Sequence, residues 1–163
     1  SRTLTRNDFA TESGLGAPLV RAAEQAGLLV PLRIGDEERF TEADLEMARA
    51  GRSVLEAGFP LDRLIQLAQG HDTAIRNVVE NAIDLFDQTI RKPAADGETT
   101  VPDATVEATY RELFPAVTRL VALHFQHALV ERALDRLRDS GEFSDLGAAL
   151  VATQSARLEV SWR

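Results

Sequence analysis

The stretch LFPAVTRLVALHFQHALVERALDRL, Leu113 to Leu137, decides the fold class. Residues 113, 116, 120, 123, 127, 130, 134 and 137 are Leu, Ala, Leu, Leu, His, Val, Leu and Leu, and Val117, Val121, Phe125 and Ala128 add a second face. Steps of three and four residues follow the turn of an α-helix, and a helix apolar on more than one side is predicted to be central to its fold. Asp103 is expected to cap a helix running through about Leu113, and Pro115 to kink the chain or restart it into a helix ending near Asp139. Ser140-Gly141 breaks that helix and Phe143 to Ala152 predicts a short amphipathic one; Leu158 to Trp162 reads as a strand or as the lead into another domain.

Upstream, Pro93 to Pro102 has no period, two prolines and a glycine, and reads as a surface loop. Before it, Ile75, Val78, Val79, Ala82, Ile83, Phe86 and Ile90 recur at helical spacing in a helix running to Lys92. Gly70 is expected to separate that helix from one started by Pro60, in which Leu61, Leu64, Ile65 and Ala68 form an apolar stripe. Thr41 and Asp44 stand three residues apart as in a capping box, opening a helix to about Ala57 that Gly58 ends. At the front, Thr5 caps a short helix through about Glu12, and Ser13-Gly14-Leu15-Gly16 turns into a second helix, Ala17 to about Ala26. Gly27 stops it, Leu28 to Pro31 exits extended, and Gly35 to Glu38 makes a polar bend. Ala and Leu dominate while β-branched runs are scarce, so the fold class is all-α: a helix-turn-helix head over residues 1–70 and a multi-helix body over 71–163, or one compact domain combining them.

The 163 residues contain no cysteine, which excludes a disulfide scaffold and any Cys-ligated zinc or iron–sulfur site. At 44% hydrophobic and 27% charged the chain can build a core. No uninterrupted apolar run approaches the roughly 20 residues that span a bilayer, and Ser1-Arg2-Thr3 shows no signal peptide, so the expectation is a cytoplasmic, soluble piece of a longer gene product. The net charge of −8 argues against nucleic acid as a partner. No Gly-rich phosphate loop or nucleophile elbow is present, and acid pairs such as Asp84 and Asp87 or Asp135 and Asp139 read as solvated helix faces, so no enzyme activity and no cofactor is expected.

Two resemblances sharpen this reading. Asp8-Phe9-Ala10, Gly14-Leu15, Leu19 to Pro31, Arg39 to Leu45 and Ala57 to Leu61 resemble the MerR-type winged-helix head over about residues 5–70. In that family the second helix reads DNA and carries an arginine followed by paired aromatics. Arg21 matches the arginine, Ala22 and Ala23 stand where the aromatics belong, and the wing-like bend keeps Arg33 and Arg39 but inserts Asp36, Glu37 and Glu38. Residues 1–40 hold five arginines against six acids, whereas groove-binding heads show a basic face. The DNA-binding transcriptional regulator, with Arg21, Arg33 and Arg39 as its contacts, is therefore the alternative reading.

Over about residues 5–138 the order Phe40 to Asp44, Glu56 to Pro60, Leu67 to Asp72, Leu113 to Val117 and Leu123 to Leu129 is similar to the N-terminal regulatory domain of actinobacterial pH-sensing class III adenylate cyclases. That resemblance implies an all-helical homodimer that binds a fatty acid and controls a neighbouring output domain in signal transduction; the cyclase domain itself is missing from the sequence. If the helix near Pro115 lines an acyl pocket, Val117, Leu120, Val121 and Phe125 should touch the chain of the ligand. A carboxylate head would then seek Arg119 or Arg132, with His124 or His127 beside it coupling binding to pH. A close-packed bundle core would use the same apolar residues. His124, His127 and Glu131 have ligand-like spacing, but no metal site is expected, since the third histidine, His71, stands on a different predicted helix and His127 also fits as a core histidine.

Overall fold

A computed structural model describes residues 2–91, 101–141 and 144–154 and divides the chain into two units, Ser1–Leu85 and Phe86–Arg163. The expected loop from Pro93, up to residue 100, and the segment Leu158 to Trp162 lie outside the described residues. The fold is mainly helical, with one addition that the sequence reading did not contain, a small three-stranded sheet.

The first unit opens with β1 (Thr3–Leu4), then α1 (Arg6–Ser13) and α2 (Ala17–Gln25). Thr5 caps α1 as expected, its Oγ1 accepting the Asp8 N–H at 3.2 Å. Gly14 ends α1 at φ 72°, and a Cβ there would fall 2.1 Å from a guanidinium nitrogen of Arg52, so the turn needs glycine for its conformation and is crowded as well. The predicted extended exit and polar bend form a hairpin of β2 (Leu32–Ile34) and β3 (Glu37–Thr41), paired Leu32 to Arg39 and Ile34 to Glu37. Its two-residue loop starts with Gly35 at φ 64°, the backbone that so tight a connection demands. β3 also pairs antiparallel with β1, Leu4 opposite Phe40, giving the order β1-β3-β2.

Thr41 closes β3 and caps α3 (Glu42–Glu56). The capping box is complete: Thr41 Oγ1 accepts the Asp44 N–H at 3.1 Å, and the Asp44 carboxylate accepts the Thr41 N–H at 2.8 Å. α4 (Leu61–Phe86) follows and runs unbroken through Gly70, correcting the predicted break. A lone glycine costs a helix only about 1 kcal/mol relative to alanine, which the helix formers around it outweigh. This continuity is why the first unit extends beyond residue 70. The core gathers Leu4, Phe9, Val20, Leu29, Phe40, Leu45 and Ala48, with the rings of Phe9 and Phe40 stacked at 4.3 Å.

The second unit begins at Phe86 and a π-helical turn, Asp87–Arg91. α5 (Asp103–Ser140) is one helix that passes through Pro115 without restarting. Pro102 occupies its N-cap, so Asp103 is the first helical residue and not the cap, favouring the helix through its charge near the positive end of the dipole. Gly141 ends α5 at φ 76°, and α6 (Ser144–Gln154) packs on it. Phe86, Tyr110 and Phe114 form an aromatic cluster with centroids 5.2–6.2 Å apart.

The prediction of a central helix is corrected by α5's exposure. Val130 and Leu134 are its buried residues, while Leu120 is 67% and Phe125 61% exposed. Among the described residues, α6 and the turn at Phe86–Arg91 give a helix apolar on several sides only partial cover. By length and composition α5 also meets the requirement for crossing a membrane, at a mean hydropathy of 1.2. Arg119, His124, Gln126 and His127 interrupt its apolar residues, which is why no continuous run appears in the sequence.

Candidate functional site

In the first unit, three helices leave an aliphatic cavity of about 250 Å³. α2 contributes Leu19, Ala22, Ala23 and Ala26, whose spacing of three, one and three residues keeps them on one side of the helix. α3 contributes Met47, Ala48, Gly51, Val54 and Leu55, and the start of α4 contributes Leu61, Leu64, Ile65, Leu67 and Ala68. Leu15, Leu28 and Leu29 complete the wall. No ionisable group is among these residues, and Met47, Val54, Leu61 and Leu67 are also exposed at the surface.

Small side chains create the space. A Cβ added at Gly51 would meet nothing within 4 Å, and Ala22 and Ala23 project only methyl groups where the MerR resemblance expects aromatics. The stripe Leu61, Leu64, Ile65 and Ala68 was visible as a period in the sequence. The cavity was not, because missing volume at Ala22, Ala23 and Gly51 has meaning only once the opposing helices are in place. At the far side of α2, a Cβ on Gly27, φ 82°, would fall 2.4 Å from the Asp72 carboxylate, so α4 lies directly against the turn that follows α2.

The electrostatics of this unit concentrate on Arg6. Its guanidinium holds Glu24 in a bidentate pair at 2.6 and 2.8 Å, bonds Glu38 in the hairpin, and lies 5.4 Å from the centre of the Phe40 ring. Glu24 first and Glu38 second raise the Arg6 pKa above the ordinary arginine value. Thr5, Arg6, Asn7, Arg33, Asp36, Glu37 and Glu38 border an open, mixed-charge depression at the same place.

The arginines of the DNA-binding alternative have unequal surroundings. Arg21 on α2 and Arg33 on β2 are exposed and make no ion pair among the described residues, whereas Arg39 on β3 is held by Glu37 at 2.6 Å. The residues expected around an acyl ligand, Val117, Arg119, Leu120, Val121, His124, Phe125, His127 and Arg132, all lie on α5. Val117 is half-buried and the other seven are exposed, distributed over several faces of the helix; the aliphatic cavity is lined by residues 15 to 68 alone. His127 Nε2 stands 3.9 Å from Glu131, and among the described residues no three His, Asp or Glu side chains gather as a metal site. Comparison with known proteins finds no matching family, no matching curated protein and no matching solved structure.

Proposed function

We propose that this chain is a non-catalytic regulatory module that takes up an apolar, fatty-acid-like ligand and, as a homodimer, controls an output domain fused to it or bound in trans. The observation that carries the reading is the aliphatic cavity between α2, α3 and the start of α4. At about 250 Å³ it is smaller than the roughly 300–1,000 Å³ of sites that enclose drug-sized ligands, so it suits a segment of an alkyl chain whose polar end stays at the mouth. The long exposed apolar faces of α4 and α5 support the homodimer. Two short helices followed by a hairpin support a MerR-like head, with α2 turned from reading DNA to walling a ligand site.

Enclosing about six methylenes at about 0.8 kcal/mol each gives about 5 kcal/mol, a Kd on the order of 0.2 mM for the enclosed segment alone. Native mass spectrometry of the purified chain, followed by calorimetry with medium-chain fatty acids, tests the reading. Ala22→Phe should fill the cavity and abolish binding, while Val121→Trp on α5 should leave it unchanged. Loss with Val121→Trp alone would move the ligand to α5, and no binding by folded, delipidated protein would refute the ligand-sensing role.

A further inference from the structure

Phe114, Thr118, Val121, Phe125, Ala128 and Arg132 succeed one another along α5 at intervals of four, three, four, three and four residues. Alternating steps of four and three residues are the spacing of a coiled-coil seam, which keeps one line of side chains facing a partner helix. All six are exposed: Phe114 is 39%, Val121 41% and Phe125 61% accessible. Val130 and Leu134, the buried residues of α5, point away from this line by helical geometry, so among the described residues the seam lies opposite the buried side of α5, with only its first member, Phe114, in the aromatic cluster of its own unit.

The polar members of the seam choose its partner and its direction. A second copy in parallel register would set Arg132 against Arg132, two cations in one layer. In an antiparallel pair crossing at Leu123, Arg132 faces Phe114 of the other copy, Thr118 faces Ala128 and Val121 faces Phe125. Each guanidinium then meets an aromatic face, and the helix dipoles oppose. Within its own chain the Phe114 ring is held by Tyr110, stacked at 5.2 Å and 16°, and by Phe86 at 6.0 Å, which fixes its place at the end of the seam. One stripe satisfying itself under a two-fold axis is the condition for a closed dimer. We infer that the exposed seam Phe114–Arg132 of α5 is the surface on which a second copy of this chain docks, antiparallel and centred on Leu123. This deepens the dimeric part of the proposed function and is independent of the aliphatic cavity.

The chain has no cysteine, so the register can be read directly from introduced thiols. Thr118→Cys and Ala128→Cys are prepared separately in the full chain, and each is oxidised alone and after subunit exchange with the other. The expected result is a 118–128 disulfide dimer in the mixture, at least ten-fold more abundant than any dimer in either single variant. Ten residues along a helix are about 15 Å, beyond the roughly 7 Å that a disulfide can bridge, so like positions stay apart in this arrangement. Phe125→Glu, at an exposed site, should raise the dimer dissociation constant at least ten-fold in sedimentation while leaving the helical circular dichroism intact. Efficient crosslinking of a single variant to itself would overturn the antiparallel register. A dimer that sediments as such but crosslinks in no combination would overturn the seam and leave the dimeric regulatory module standing. A chain monomeric at tens of micromolar would overturn both, and one that floats with phosphatidylcholine vesicles until Phe125→Glu is made would assign the seam to lipid.

Discussion

Replacing Arg6 by methionine tests whether the cluster around it holds the head together. The bond to Glu24 is bidentate and charge-assisted, a class worth about 1.5–3 kcal/mol when shielded. The side chains of Arg6 and Glu24 are 35% and 19% exposed, which places this pair near the lower end of that range. Glu38 is 40% exposed, so its share falls to about 0.5 kcal/mol, and the face of Phe40 adds about 0.5 kcal/mol more. Methionine retains most of the packing of the arginine stem, and the expected loss is about 2.5 kcal/mol. Because its neighbours raise the Arg6 pKa, its charge and this contribution are fully present below the ordinary arginine range, and titration of Arg6 itself removes nothing at working pH. Urea unfolding followed by circular dichroism, on wild type, Arg6→Met, Glu24→Gln and the double variant, should give a coupling energy of about 1–1.5 kcal/mol. A loss below about 0.5 kcal/mol for Arg6→Met, with no coupling to Glu24, would show the cluster to be surface decoration.

Gly70→Ala should stabilise the chain by about 0.5–1 kcal/mol in the same assay, since Gly70 lies inside α4 with nothing within 4 Å of an added Cβ; destabilisation would mean that α4 needs a break there. Thr41→Ala removes the hydroxyl that accepts the Asp44 N–H and should cost about 1 kcal/mol, with Thr41→Ser recovering most of it. In gel shifts against a promoter pool at moderate salt, the chain should form no saturable complex; one that disappears with Arg21→Ala would establish the DNA-binding alternative.

What could be read from the sequence was chiefly local. The Thr41 and Asp44 box, the Thr5 cap and the stop at Gly141 each depend on a few adjacent residues, and all three are present. The hairpin escaped because β2 spans three residues, all exposed, too few for a two-residue alternation to register. Gly70 and Asp103 were misjudged through residue preference alone, where the surrounding helix decides. The cavity escaped for a different reason: Ala22, Ala23 and Gly51 are unremarkable on their own helices and make a site only by what they fail to fill. The apolar faces of α5 were legible as pattern, yet pattern does not distinguish a face covered by its own chain from one left open.

The length of α4 has a consequence for amide hydrogen exchange. No residue of α4 is buried, but those up to Ala68 wall the cavity and Asp72 sits against Gly27, so the contacts of this helix with its unit lie in its first half. Opening free energy should therefore decline along a single helix: slow exchange through the first three turns, then rates approaching those of a solvated peptide helix. Protection that instead stays high to Leu85, and falls on dilution, would locate a concentration-dependent cover on the later turns, residue by residue and without any label.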